Sequence, residues 1–293
     1  MIRQLWHEIN HIKLATKKTI LNIDPIDFSI KLTVFFLLLH FSNAVGEWLF
    51  IPIITLSSIG ILFKKTRESL IFWLIQVAFY AYWVSISWTF IDNHMYLWAY
   101  WLIAVLVVII TKKQHYLPIS AKYLIASCMF YAVLQKLTSP TYLDGSFFYF
   151  TILTDQRLSF LGKLIQYDVQ SIISDNSKIL DMLMSNTESY QLNGGPWILK
   201  PISAFLSWYT IFIESILSII FFLKQSFYFW QHLLLLTFCT LYFLLPIKGF
   251  AFTLLILGFS NLKKEDLLFK SAYLFFFFYI FTISVLVMKD FIL

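Results

Sequence analysis

Charge is scarce in this chain. Lys, Arg, Asp and Glu make up 13% of its 293 residues, about half of the roughly 25% usual in soluble domains. Too little polar surface is available to cover an aqueous fold of this length. Cysteine is rarer still: Cys128 and Cys239 both stand inside apolar runs, far from any CxxC or Cys/His spacing. That excludes a disulfide framework or a zinc-type cluster, and we read both as small core residues with no metal role. No P-loop, GxGxxG, GxSxG, HExxH or paired-carboxylate glycosidase pattern is present, nor an internal repeat or a low-complexity linker. The first 27 residues carry Arg3, Lys13, Lys17, Lys18, Asp24 and Asp27 and lack the short apolar core of a secretory signal.

What is present is apolar length. Hydrophobic residues make up 59% of the chain and aromatic residues 20%. Runs of roughly 17 to 25 apolar residues recur from Phe28 onward, the length a bilayer requires of a helix that satisfies its own backbone. The expected fold class is an all-α integral membrane protein, a polytopic helix bundle of about nine spans at 28–42, 47–63, 69–91, 95–111, 118–137, 198–223, 227–245, 248–262 and 267–288. The first two form a hairpin, split where Ser42, Asn43 and Glu47 interrupt the run.

The net charge of +6 here carries topology rather than a nucleic-acid partner. Basic clusters at the N-terminus, Lys64 to Arg67, Lys112 with Lys113, Lys224, and Lys263 with Lys264 fall on one side under the positive-inside rule. Residues 1–27 are then a cytoplasmic surface helix, and 28–293 one transmembrane domain, expected in the cell membrane. Residues 138–197 hold six acidic against three basic residues, which suits an extracytoplasmic loop. Within it Leu158, Leu161, Leu164, Ile165, Val169, Ile172 and Ile173 recur at helical spacing, so the loop should contain an amphipathic helix on the membrane surface or an ordinary packed helix.

Ionisable residues at membrane depth are the candidates for chemistry. Lys136 ends the 118–137 span beside Gln135 and before the turn Tyr142-Leu143-Asp144-Gly145. It is either an interface lysine reaching for water or a desolvated general base. His94 lies in the outer turn Asn93-His94-Met95-Tyr96-Leu97, able to orient a ligand or simply to be solvated. Glu214 sits deep in the 198–223 span and must be protonated, paired or facing a wet cavity. His232, near the start of the next span, is a partner for it by residue type, and His40 with Glu47 form a similar polar spot.

These residues resemble a known family. Thr89 to Leu102, TFIDNHMYLWAYWL, and Ala121 to Gly145, ending in LQKLTSPTYLDG, look like two motifs of the horizontally transferred transmembrane (HTTM) domain of vitamin K-dependent γ-glutamyl carboxylases, in the same order and at similar spacing. Asn193 to Trp197 (NGGPW), Glu214 and His232 resemble its later part, so the similarity covers roughly 28–262. The resemblance implies that Lys136 is the base that deprotonates a reduced naphthoquinone (vitamin K hydroquinone-like) at the outer face. His94 would assist catalysis, and Asn93, Tyr96, Gln135, Asp144, Glu214 and His232 would bind substrate or cofactor. It departs from the family pattern at Gln135, where the family has a first lysine, and at Thr138. With the chain ending at Leu293, the large lumenal substrate-binding part is also expected to be missing, so a secreted peptide or a separate soluble protein would complete the site.

Two functions remain open on this footing. One is a quinol-coupled membrane enzyme, carboxylase-like or quinol-oxidising. The other is a non-catalytic membrane subunit, or a factor for maturation or export of a secreted peptide, as in the HTTM-related proteins that mature sporulation-delaying toxins.

Overall fold

The computed structural model describes residues 14–42, 50–89, 93–155, 168–185, 191–223, 227–244 and 248–292. They are helical, with no strand among them. After a helical stretch over 14–21 come α1 (Pro25–Ser42), α2 (Ile51–Leu62), the short α3 (Lys64–Arg67), α4 (Leu70–Ser87), α5 (Asn93–Thr111) and α6 (Tyr116–Leu137). Then follow α7 (Pro140–Leu143), α8 (Ser146–Thr154), α9 (Val169–Ser185), α10 (Leu199–Phe222), α11 (Tyr228–Leu244), α12 (Lys248–Ser260) and α13 (Leu267–Ile292).

Four helical segments, Leu70–Ser87, His94–Thr111, Tyr116–Leu137 and Leu199–Phe222, are long and apolar enough to cross a membrane. Ile51–Leu62, Gly249–Ser260 and Leu267–Thr282 are apolar but shorter. Large side chains such as Ile71, Phe205, Phe212 and Phe275 are more than half exposed on these helices. Patches of that kind mark a membrane or a protein contact.

The chain divides into two compact units. The first comprises 1–126, 221–239 and 247–293, and α12 packs there against α1, α5 and α13. Ala251 to Ser260 are buried without a break, as expected of a helix that is apolar on every side. Glycine makes the closest approach possible: a Cβ at Gly258 would lie 2.7 Å from Leu235 Cδ2. Buried polar groups cross-link the other helices. Gln76 Nε2 donates to Ser57 Oγ at 2.9 Å, joining α4 to α2, and Trp101 Nε1 donates to Thr33 Oγ1 at 2.9 Å, joining α5 to α1.

One end of this unit is tied by Lys270. Its side chain is fully buried at the start of α13, and its ammonium donates to the carbonyls of Leu21 at 3.0 Å, Ile23 at 2.6 Å and Lys264 at 2.6 Å. An ammonium has three hydrogens, and here each has an acceptor. Asp24 caps α1 by accepting from the amides of Ile26 and Asp27 and pairs with Lys264 at 2.7 Å.

The second unit comprises 127–220 and 240–246. It holds the end of α6, α7 to α9 and most of α10. Ile152, Leu153, Val169, Ile173 and Leu199 form its core. Val169 and Ile173 belong to the expected amphipathic repeat, and α9 carries them onto α8. The repeat's earlier members, Leu158 to Ile165, lie outside the described residues, as do 1–13 of the expected surface helix. The apolar helix α8, SFFYFTILT, was not anticipated, because its nine residues are diluted by polar neighbours when 138–197 is averaged.

Candidate functional site

The second unit brings Lys136 and Glu214 together. Helix α6 carries Lys136 in its last turn and stops at Leu137, where Ser139 is extended before Pro140, as a residue preceding proline tends to be. Pro140 then opens α7. The turn that follows needs glycine. Gly145 has φ +82°, and a Cβ there would lie 2.7 Å from the Ala204 amide nitrogen, so the turn seats directly on α10. Tyr142 is thereby buried, with its hydroxyl 2.6 Å from Thr210 Oγ1.

Against this wall the Lys136 ammonium forms a hydrogen bond and ion pair with Glu214 Oε1 and lies over the Tyr142 ring, 5.3 Å from its centroid. The side chain of Glu214 is 6% exposed and that of Lys136 is 19% exposed. Glu214 Oε2 is buried with no hydrogen-bond partner. Ser207 Oγ, two turns earlier on α10 and on the same face, is also buried without one.

A lysine and a glutamate sharing a proton in a poorly solvated place can exist as an ion pair or as a neutral pair. The low dielectric that strengthens their attraction also penalises each charge. An unmatched carboxylate oxygen beside them leaves room in the hydrogen-bond inventory for one more donor.

The other residues singled out in the sequence are placed differently. His94 is not in an open turn: it lies in the first turn of α5 and is 9% exposed. It belongs to the first unit, where it faces the backbone of α12, and a Cβ at Gly249 would lie 2.8 Å from its Nε2. Tyr96 is 39% exposed. His40, also in the first unit, sits among aromatic rings, with Trp83 at 4.8 Å and Phe41 at 5.0 Å between centroids. Asn93 is helical, while the side chain of Asn93 and all of Glu47 lie outside the described residues.

His232 belongs to the first unit and Glu214 to the second. It is buried in the first unit, with Nδ1 3.0 Å from Tyr273 Oη and the Tyr228 and Phe269 rings at 4.5 and 5.2 Å. Gln135 is exposed beside Lys136. Asp144 is exposed and accepts from the Ser146 amide at 2.8 Å. Hydrogen bonding from the Ser146 side chain, with that amide bond, holds its carboxyl below the usual carboxylate value and accounts for an aspartate at the start of α8.

The NGGPW stretch also has a local explanation. Buried Asn176 of α9 donates to the carbonyls of Leu153 and Asn193 and accepts from the Asn193 amide at 2.7 Å. Tyr149 Oη accepts from the Gly195 amide at 3.1 Å. A Cβ at Gly195 would lie 2.6 Å from Leu199 Cδ1. Sequence reasoning missed Asn176, Tyr149, Tyr142 and Thr210, since each is an ordinary polar residue in an ordinary helix until the fold pairs it.

Among the described residues, no group of three or more His, Cys, Asp or Glu side chains is placed to hold a metal ion. No family model, no curated protein and no solved structure matches the chain.

Proposed function

We propose that the chain is a multi-pass cell-membrane protein of about nine spans with a cytoplasmic N-terminus, HTTM-like in character, and that the Lys136–Glu214 pair is its acid–base site at the extracytoplasmic face. The observation that carries this reading is the pair itself: Lys136 bonded to one carboxylate oxygen of Glu214 while the other is buried without a partner. In this scheme Glu214 takes a proton from the Lys136 ammonium. The free amine then accepts the proton of a hydroxyl on a lipid-soluble substrate, leaving an oxyanion beside the re-formed ammonium. A reduced naphthoquinone fits such a step, being acidic at its hydroxyls and soluble in the bilayer that the exposed apolar faces address. Tyr142, beneath the ammonium, positions Lys136. A secreted peptide or a separate soluble protein would supply any further substrate.

The motif residues that have structural work favour a second reading. Asn193, Gly195, Asp144 and His232 all serve local geometry, which suits a non-catalytic membrane subunit or a factor for maturation or export of a secreted peptide. Lys136–Glu214 would then join α6 to α10, contributing about 1 kcal/mol as interhelical polar contacts do.

Lipid extraction of the purified protein, followed by mass spectrometry, separates the two. The acid–base reading expects a bound naphthoquinone or related isoprenoid that is lost in Lys136→Ala and Glu214→Gln at unchanged protein abundance. A clean extract from the unaltered protein would favour the subunit.

A further inference from the structure

The first unit carries a second chemical feature, remote in sequence from Lys136. At the boundary where α5 ends, a cleft of about 290 Å³ opens between the start of α1, the segment at α3 and the residues after Thr111. Its polar lining alternates in sign: Asp27 and Glu68 against Arg67 and Lys112, with apolar walls that include Ile30 and Val108. A cleft of this size is at the small end of ligand sites, enough for a headgroup and not for a large soluble ligand.

Two details mark it as more than a gap between helices. The Arg67 side chain is 6% exposed, and its Nη1 is committed to the Gly60 carbonyl at 3.0 Å. Its Nη2 forms an ion pair with Asp27 Oδ1 at 3.7 Å, beyond hydrogen-bond length, so the two charges lie side by side in the lining without a hydrogen bond between them. Lys112 is the only non-glycine residue with positive φ among the described residues, at +57°. It sits just past the end of α5, with its amide bonded to the Val108 carbonyl at 2.8 Å. Glycine is the cheap residue at such a helix terminus. A lysine held there at a conformational cost points to a use for its side chain.

We infer that this cleft binds the headgroup of a zwitterionic aminophospholipid of the phosphatidylethanolamine type. Arg67 and Lys112 receive the phosphate, Asp27 and Glu68 receive the primary ammonium, and the acyl chains start along Ile30 and Val108. The balanced charge of the lining disfavours a purely anionic headgroup. The three ammonium hydrogens of ethanolamine, which choline lacks, suit two carboxylates. The apolar wall next to a membrane-length helix selects a lipid over a free phosphoamine.

Native mass spectrometry of the full chain after equilibration with equal amounts of phosphatidylethanolamine, phosphatidylcholine and phosphatidylglycerol tests this. The ethanolamine lipid should be retained in preference to the other two, and soluble O-phosphoethanolamine should not displace it. Lys112→Gly relieves the left-handed strain, so its thermal midpoint should hold or rise while retention of the ethanolamine lipid falls about tenfold, as expected for losing one charge-assisted contact. Glu68→Gln should move the preference toward phosphatidylglycerol. Equal retention of all three lipids, preference of the unaltered protein for phosphatidylglycerol, displacement by the soluble headgroup, or unchanged retention in Lys112→Gly would each overturn the assignment.

Discussion

Two lysines, each considered within its own unit, show how differently this chain uses a buried amine. Lys270 has an acceptor for every hydrogen, all of them backbone carbonyls, and nothing about it is left to react. Lys136 has one strong partner, a carboxylate whose second oxygen is unmatched. The first arrangement fixes a chain path, and the second is the one for which we propose a transferable proton. A buried lysine is therefore not a functional signal by itself. What its acceptors are, and whether they are saturated, decides the matter.

The largest expected effect lies on the structural side. Lys270→Met takes the shared donor from three partly buried carbonyls, and we expect a loss of about 3 kcal/mol, read as a fall of the thermal midpoint and of membrane abundance. Survival of this variant at normal stability would break the comparison. Asn176→Ala, which removes the three-bond staple in the second unit, should cost about 2 kcal/mol. It should also make the 191–197 segment cleavable by protease while Lys136-dependent properties remain.

The Lys136–Glu214 pair should matter less to stability than either. A double-mutant cycle with Lys136→Met and Glu214→Gln should return a coupling of about 1 kcal/mol. A coupling several times larger would move Lys136 into the structural class with Lys270.

The smallest effect concerns pH at the Lys270 end. Burial works to raise the Asp24 carboxyl, but the hydrogen bond from Lys264 and the bonds from the amides of Asp27 and Ile26 outweigh it, and the net direction is below the ordinary value of 3.8. The contribution of Asp24 is thus fully present above its ordinary titration and is lost as pH falls through the lowered value. The hydrogen bond that Lys264 donates to Asp24 raises Lys264 above 10.5, so its contribution is full below that and fades as pH rises through the raised value. Thermal midpoints of the unaltered protein and Asp24→Asn should converge in strong acid and differ by a constant, small amount between pH 5 and 9.

Much of the helical layout was legible from hydropathy alone. Helices stand close to each expected span, as with Leu70–Ser87 against 69–91 and Leu199–Phe222 against 198–223, because apolar length is a local property of the sequence. Helix α8 was hidden by averaging, and the partners of the polar residues were hidden altogether. Glu214 could have met His232 on residue type. It meets Lys136 because the Pro140 stop and the Gly145 turn bring the end of α6 back against α10, a consequence of packing that no spacing rule contains. For the same reason the sequence puts His94 in an outer turn, open to a ligand or to solvent, and does not reveal that Gly249 covers it from a helix far along the chain.

The most direct test of the acid–base claim exchanges the two partners, Lys136→Glu with Glu214→Lys in one protein. A bond whose only role is to join α6 to α10 survives the exchange, whereas a site that must present an amine at the outer end of α6 does not. The account expects a thermal midpoint near that of the unaltered protein together with loss of the naphthoquinone or isoprenoid in its lipid extract. Equal retention of that ligand in the exchanged protein would contradict it.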